Sequence, residues 1–164
     1  MTPAADLIAR CAARGLTIAT AESLTAGLLA STLAEVPGCS TVLRGGVIAY
    51  ATQVKATVLG LPEAMLEHVV SEQVADGLAR AAASALAADI GIGTTGVAGP
   101  DWLDEQPPGT VWISVHYGAT GRSQTRLLAL EGDRMAIRVG TVQACLAEAL
   151  VLLDEIGPID GIST

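Results

Sequence analysis

The chain has 164 residues, of which 51% are hydrophobic, and its net charge is −8. This length suits one domain, and this composition can fill a hydrophobic core without disulfides or a structural metal. A negatively charged chain is repelled by a phosphate backbone, and only 2% of the residues are aromatic. Neither duplex nor single-stranded nucleic acid is therefore an expected partner.

The cysteines and the N-terminus favour a cytoplasmic protein. Cys11, Cys39 and Cys145 are widely spaced and form no Cys-x-x-Cys motif, which argues against a disulfide framework and against a thiolate zinc site. The chain has no run of about 18 apolar residues, and its N-terminus has no basic region followed by an apolar stretch. We expect neither export nor a membrane-spanning segment.

The first half of the chain predicts alternating helices and strands. Thr2 and Ser71 are suited to cap helices, whereas Gly15 and Pro37 are suited to end them. In chain order the pattern predicts a helix from Pro3 to Gly15, a strand over 16–20, a helix that follows the polar turn 22–27 and runs to about 36, a strand over 45–50, a short helix over 52–59 and an Ala-rich helix over 72–88.

The second half predicts a strand, a long loop, a hairpin and a final helix. In order these are a strand over 90–94, a loop over 96–108, two strands over 109–117 and 123–130, and a helix of about twenty residues capped by Asp133 and ended by Gly157. The turn 118–121 is too short for a parallel crossover, so Tyr117 and Leu130 should lie on neighbouring antiparallel strands. A loop as long as 96–108 is usually functional or disordered.

These elements predict an α/β fold. Specifically, we expect one three-layer α/β/α domain over residues 1–164, with a mixed, mainly parallel sheet and a late β-hairpin. Residues 158–164 are expected to be a frayed tail.

Lys55 is the only lysine in the chain, beside eight arginines. One interpretation is that it is a solvated helix residue, as most lysines are. Its sequence neighbours indicate another, because Tyr50 ends a predicted strand and Ser40 lies in the turn before that strand. A lysine with a lowered pKa can take the proton of a serine hydroxyl, and a tyrosine can hold or relay it. Ser40, Tyr50 and Lys55 could thus hydrolyse an amide or ester.

Other catalytic and cofactor motifs fit less well. His68 and His116 are the only histidines, and neither is near a Gly-x-Ser-x-Gly elbow or a carboxylate cluster, so each is expected at the surface or at a sheet edge. Residues 91–96 satisfy Gly-x-Gly-x-x-Gly, but a loop follows them instead of a helix. Tyr50 and Lys55 also lack the Tyr-x-x-x-Lys spacing that places both side chains on one helix face. These features argue against an NAD-dependent oxidoreductase.

Two glycine-containing turns are suited to a ligand. Residues 96–100, Gly-Val-Ala-Gly-Pro, would let backbone approach a substrate closely, although a plain tight turn explains them equally well. Gly132-Asp133-Arg134 opens the last helix with free N–H groups and a guanidinium, a favourable place for a phosphate. The alternative is that Asp133 only caps the helix and Arg134 is solvated. Residues 21–23 open another helix and include two residues that can cap it.

Five short segments, in order along the chain, together resemble the motifs of one protein family. They are Ala-Glu-Ser-Leu-Thr-Ala-Gly at 21–27, Gly-Gly-Val-Ile-Ala-Tyr at 45–50 with Lys55, Thr-Gly-Val-Ala-Gly-Pro at 95–100, Pro-Gly-Thr-Val at 108–111 and Gly-Asp-Arg at 132–134. The family is the CinA C-terminal domain, which includes nicotinamide mononucleotide deamidases. The similarity extends over about residues 18–156, and five ordered motifs are more specific than any one of them.

The resemblance implies an activity, its residues and its partners. The activity is hydrolysis of the carboxamide of nicotinamide mononucleotide to nicotinate mononucleotide and ammonia, in pyridine nucleotide salvage and without a metal or organic cofactor. Ser40 would be the nucleophile, Lys55 its general base and Tyr50 the residue that positions or relays the proton. The implied substrate-binding residues are Ser23, Thr95, Gly96, Gly99 and Arg134, with Arg134 at the phosphate. The implied partners are a pyridine mononucleotide and further copies of the chain in a homo-oligomer, with no nucleic acid and no membrane.

Two departures from the family pattern concern the pocket. Leu24 and Ala26 stand where the family has Cys and Gly, and Asp-Trp-Leu-Asp at 101–104 stands where the family continues with glycines. Trp102 can stack on the nicotinamide ring or fill the space of the missing glycines. The alternative function is a nucleotide-binding module of the same family with weakened turnover. The family also occurs as the C-terminal half of longer two-domain proteins, and 164 residues leave no room for that other half.

Overall fold

Five strands form one sheet in the computed structural model, which describes residues 1–157. The strands are β1 (Ile18–Glu22), β2 (Leu43–Ile48), β3 (Ile90–Gly96), β4 (Thr110–Tyr117) and β5 (Arg122–Ala129). Their spatial order is β2-β1-β3-β4-β5. β1 pairs in parallel with β2 and β3, and β4 pairs antiparallel with β3 and β5. Four of the five strands therefore point the same way, which confirms the mixed, mainly parallel sheet and the hairpin.

Five α-helices flank the sheet in the described residues. They are α1 (Pro3–Ala13), α2 (Leu28–Ala34), α3 (Thr52–Thr57), α4 (Glu72–Ala85) and α5 (Arg134–Glu155), with 3₁₀ turns at Cys39–Thr41 and Glu63–Glu67. The side chains of Thr2, Ser71 and Asp133 each accept a hydrogen bond from a backbone N–H of the first turn. The predicted helix starts are therefore confirmed at these caps. The predicted tail, 158–164, lies outside the described residues.

Different helices cover the two faces of the sheet. On one face, large aliphatic side chains of β1, β3 and β4 pack against α1, α2 and α5. On the other face, Ala19 and Ala21 of β1 pack against Val74 and Leu78 of α4. This arrangement confirms the predicted α/β class with helices on both sides.

Two glycines of β3 let α4 lie directly on the sheet. A Cβ at Gly91 would lie 1.9 Å from the carbonyl oxygen of Ala79, and a Cβ at Gly93 would lie 2.3 Å from that of Ala75. Any larger residue at either position would push the helix away from the strand. The Gly-x-Gly pattern here serves the close packing of α4 on β3.

Helix α5 has 22 residues and is apolar and long enough, by composition alone, to cross a membrane. In the described structure its residues Ile137, Val142, Leu146 and Leu153 are buried in the core that it shares with α1 and β4. The side of α5 that carries these four residues is thus covered by the protein itself.

Candidate active site

The carboxyl ends of the three neighbouring strands β2, β1 and β3 meet at one edge of the sheet. Glu22, the last residue of β1, is in register with Ile48 of β2 and with Thr94 of β3. β2 and β3 lie on either side of β1. The helices that follow β1 and β2, α2 and α4, cover opposite faces of the sheet, so this edge is a topological switch point. Ligands of open α/β sheets bind in the crevice at such points.

Lys55 of α3 is buried here and contacts Ser23, the residue that follows β1. Its side chain is among the most buried in the protein, at 1% exposure, and Nζ lies 3.1 Å from Ser23 Oγ. Nζ also donates to the carbonyl oxygens of Ala49, at 2.8 Å, and Tyr50, at 3.3 Å. Lys55 is therefore a buried residue with three polar contacts and not a solvated helix residue.

These contacts fit an uncharged lysine. Burial lowers the pKa of Lys55, because the ammonium form loses its hydration. Residues 1–157 supply no salt bridge to it that would restore the charged form. A free amine has two N–H donors and one lone pair. The two carbonyls can take the donors, and the lone pair can accept the hydroxyl proton of Ser23.

The turn that carries Ser23 is held from several sides. The Ser23 N–H donates to the carbonyl of Thr94 at 3.0 Å. The guanidinium of Arg138 donates to the carbonyls of Leu24, at 3.1 Å, and Thr25, at 2.8 Å. Such contacts fix the position of the Ser23 hydroxyl before any substrate arrives, which is what an efficient nucleophile requires.

The buried side chain of Glu22 anchors the same turn. Its carboxylate is 1% exposed and accepts hydrogen bonds from the N–H groups of Gly27, at 2.9 Å, Leu29, at 3.1 Å, and Ala30, at 2.8 Å. Thr20 Oγ1 donates a further bond at 3.0 Å. The carboxylate therefore takes up the free N–H groups at the start of α2 and ties that helix to β1. Its contacts make it an anchor of the turn and not a base at the cavity.

Ser40 lies elsewhere, so the prediction that it converges with Lys55 is wrong. Ser40 is exposed in the 3₁₀ turn before β2, whereas Lys55 follows the other end of that strand. At about 3.3 Å per residue, the six residues of β2 separate the two ends by roughly 20 Å. The hydroxyl within reach of Lys55 is that of Ser23, which the resemblance had placed among the substrate-binding residues.

Tyr50 and Arg134 meet at the mouth of the site. The Arg134 guanidinium donates to the Tyr50 hydroxyl and, at 2.6 Å, to the carbonyl oxygen of Gly99. Tyr50 contacts Lys55 through its backbone carbonyl, while its half-exposed side chain faces Arg134. The Tyr50 hydroxyl thus makes no direct hydrogen bond to Lys55 or Ser23 within residues 1–157, as a direct proton relay would require.

A cavity of about 310 Å³ connects these groups, close to the lower limit of typical small-molecule sites. Ser23, Thr95, Gly96, Gly99 and Arg134, the residues implied to bind substrate, all line it, as do Tyr50, Lys55 and Trp102. The Thr95 hydroxyl donates to the carbonyl of Val69 at 2.6 Å. Part of the predicted functional loop 96–108 forms one wall.

The cysteines and the histidines, all within the described residues, are not part of the lining of this cavity. Burial raises the pKa of Cys11 to about 12 and raises that of Cys145 as well, so both remain neutral thiols. His68 is exposed, but His116 is buried on β4, where Nδ1 lies 2.9 Å from Ser123 Oγ. The prediction of a surface or edge position is therefore wrong for His116. It failed because β4 is an interior strand covered by α4.

The family model of the CinA C-terminal domain matches residues 2–153. The chain belongs to this family. As a CinA C-terminal domain it is 49% identical over 139 residues to a CinA-like protein of Mycobacterium avium, covering 81% of this chain and 32% of that protein. It is 43% identical over 146 residues to a CinA-like protein of Gemmatimonas aurantiaca, covering 87% of this chain and 34% of that protein. The chain thus spans about a third of the length of these curated relatives.

Solved structures carry the same fold over nearly their whole length. A crystal structure of a competence-damaged protein (CinA) superfamily protein from Klebsiella pneumoniae aligns with a TM-score of 0.88 at 28% identity, covering 93% of this chain and 96% of that one. The corresponding superfamily protein from Escherichia coli aligns with a TM-score of 0.87 at 33% identity, covering 92% and 88%. These matches confirm the resemblance to the CinA family and the predicted fold class.

Proposed function

We propose that this CinA C-terminal domain hydrolyses the carboxamide of nicotinamide mononucleotide, giving nicotinate mononucleotide and ammonia. The observation that carries the proposal is the buried amine of Lys55, 3.1 Å from the hydroxyl of Ser23 at the wall of a cavity. A serine activated by a desolvated lysine is suited to attack an amide carbon. The choice of substrate rests on the family resemblance and on Arg134 at the same cavity.

The first half of the reaction transfers the acyl group to Ser23. The neutral Lys55 amine takes the Ser23 proton as Oγ bonds to the carboxamide carbon, so the carbonyl oxygen becomes an oxyanion. When the oxyanion collapses, the carbon–nitrogen bond breaks and the Lys55 ammonium returns the proton to the departing nitrogen. Ammonia leaves, and the nicotinoyl group is held as an ester of Ser23.

The second half consumes one water. Water adds to the ester carbon while Lys55 again takes a proton, and the bond between that carbon and Ser23 Oγ then breaks. The Lys55 ammonium gives its proton to Oγ, so Ser23 and Lys55 return to their starting states. The balance is one nucleotide and one water in, one nicotinate nucleotide and one ammonia out. The positive charge of the pyridinium ring favours the attack in both halves, because it withdraws electrons from the reacting carbon.

Arg134 is suited to hold the phosphate. It opens α5, where backbone N–H groups are free and the helix end is positive. Its guanidinium has five N–H donors in a fixed fork, and its contacts with Gly99 and Tyr50 point it across the cavity mouth. A phosphate bound there would leave the rest of the nucleotide to extend toward Ser23.

The proposal is tested by incubating the purified chain with nicotinamide mononucleotide and measuring ammonia with a glutamate dehydrogenase coupled assay. We expect ammonia and nicotinate mononucleotide in equal amounts. Binding of the nucleotide, seen by calorimetry, without ammonia release would contradict the proposal and support a nucleotide-binding module of the same family.

A further inference from the structure

Half of the aromatic side chains of this protein lie at the cavity. The chain has two tryptophans, two tyrosines and no phenylalanine. Tyr50 and Trp102 line the cavity with 51% and 66% of their surface exposed. The other two aromatics, Trp112 and Tyr117, belong to β4, where Trp112 is half-buried and Tyr117 is buried. The most exposed aromatic side chain of the described protein is therefore the one that faces the candidate active site.

The loop that carries Trp102 is fastened by residues that directly follow the indole in the chain. Leu103 and Gln106 exchange two backbone hydrogen bonds, of 3.2 and 2.8 Å. The carboxylate of Asp104 accepts a bond from the N–H of Val70 at 3.0 Å, which ties the loop to the segment before α4. The indole N–H of Trp102 makes no hydrogen bond within the described part of the chain. The ring is thus presented to the cavity by fixed backbone and is not used to hold the loop.

The charges around the indole favour a cationic ligand. Asp101, next to Trp102, also lines the cavity. The one arginine of the lining, Arg134, lies at the cavity mouth with Tyr50 and Gly99, where the phosphate of the nucleotide would offset its charge. The face of an indole carries negative electrostatic potential and attracts a cation placed over it. An acidic residue beside an exposed indole favours a flat, positively charged ring over a neutral one.

We infer that Trp102 is the surface on which the cationic aromatic ring of the substrate stacks, and that it sets the preference for a pyridinium ring. This inference rests on the proposed function, which supplies the pyridinium nucleotide. With the phosphate at Arg134 and the ring against Trp102, the carboxamide can be held at Ser23 from both ends of the nucleotide. Base stacking on an aromatic residue contributes about 1–3 kcal/mol, so loss of the indole should weaken binding about tenfold.

The test compares two Trp102 variants and two ligands. The variants W102A and W102F are made in a Ser23→Ala background, so that substrate is not consumed, and dissociation constants are measured by calorimetry. Nicotinamide mononucleotide should bind about tenfold more weakly to W102A and within about threefold of normal to W102F, because phenylalanine keeps an aromatic face. Ribose 5-phosphate, which lacks the ring, should bind with the same affinity to the Ser23→Ala protein and to both of its Trp102 variants. Equal weakening of both ligands in W102A would overturn the inference.

A fluorescence measurement adds a direct readout. In a Trp112→Phe variant, Trp102 is the only tryptophan, and we expect nicotinamide mononucleotide to quench its emission. The matched W102F variant keeps only Trp112, whose emission should not change. Reduced nicotinamide mononucleotide has the same substituents but an uncharged ring, and it should lose less affinity than the oxidised form in W102A. An equal loss for both forms, or no quenching of Trp102, would overturn the preference for a cation.

The two proposals fail in different ways. If the wild type releases ammonia and W102A keeps the same KM, the hydrolase stands and the stacking role is wrong. If the wild type binds the pyridinium nucleotide through Trp102 but releases no ammonia, the stacking role stands and the hydrolase is wrong.

Discussion

Replacing Lys55 with methionine should abolish hydrolysis while leaving the fold intact. Methionine keeps an unbranched apolar stem but has no amine, so only the group 3.1 Å from Ser23 Oγ is removed. At this distance the proton passes directly between the two side chains, and loss of a general base typically lowers the rate by about 10²–10⁴. The larger end of that range is expected here, because Lys55 also returns the proton to the leaving nitrogen.

The pH dependence adds a sharper signature. Since burial lowers the pKa of Lys55 and only the free amine can accept the Ser23 proton, kcat/KM of the wild type should rise with pH. The increase should level off once the pH exceeds the lowered pKa of Lys55, which lies below the ordinary pKa of lysine. Lys55 is the only lysine, so protein labelled with ¹³C-lysine gives a single Cε signal, and its titration measures this pKa without a rate assay.

The assay follows ammonia release from nicotinamide mononucleotide by the wild type and by Lys55→Met across a pH series, with thermal melting as the check on folding. A folded Lys55→Met protein that keeps more than a tenth of the wild-type kcat would refute Lys55 as the base. A kinetic pKa that differs from the pKa of the Cε signal would also refute it. In either case the proton of the nucleophile would have to be taken by a group other than Lys55.

Three further predictions concern binding and stability. Arg134→Ala should raise KM roughly 10–100-fold with little change in kcat, because a charge-assisted bond of about 1.5–3 kcal/mol made in both ground and transition states affects affinity alone. Arg134→Lys should recover part of the lost affinity. Equal losses in kcat and kcat/KM would contradict the phosphate role. Glu22→Gln should lower the free energy of unfolding in urea by about 1.5–3 kcal/mol, because an amide cannot accept all four of the hydrogen bonds that the carboxylate accepts. An unchanged midpoint of the urea transition would contradict the role of Glu22 as an anchor of the turn. The free energy of unfolding of the wild type, relative to that of Lys55→Met, should rise with pH between the folded and the unfolded pKa of Lys55, since the unfolded chain then binds one more proton. The slope of this rise is up to about 1.4 kcal/mol per pH unit. A flat or falling difference would contradict the buried amine.

Local sequence signals predicted the elements of the fold well. Thr2, Ser71 and Asp133 cap helices because a short polar side chain can accept a bond from the first turn, a property that is independent of the rest of the chain. The boundaries of the elements were predicted less accurately. The first strand was predicted over 16–20 and is found over 18–22, and the N–H of Thr17 donates to the Asp89 carboxylate at 2.8 Å instead of to a neighbouring strand.

The serine of the candidate site could not be chosen from sequence distance. Ser40 is nearer to Lys55 along the chain, but an intervening strand carries the two apart. Ser23 is 32 residues away, and the parallel pairing of β1 with β2 brings it back, because the two strands end at the same edge of the sheet. The available signal was the position of Ser23 directly after a strand of a βα unit, where parallel sheets place functional residues.

The burial of Lys55 was also beyond a local pattern. A short helix such as α3 gives too few residues to show which face is covered. Of its three polar contacts, those with Ala49 and Tyr50 are near in sequence, but the contact with Ser23 comes from 32 residues away. What the sequence did provide was the rarity of lysine, which drew attention to this one residue.

Ammonia release by the matched variants Ser23→Ala and Ser40→Ala tests the central claim most directly. Both changes remove one hydroxyl, one from the residue that contacts Lys55 and the other from an exposed turn before β2. We expect Ser23→Ala to lose at least about 10³-fold in kcat, in the range expected for loss of a nucleophile, and Ser40→Ala to keep the wild-type rate. Full activity in Ser23→Ala, or its loss in Ser40→Ala, would contradict the assignment of Ser23 and Lys55 as the catalytic pair.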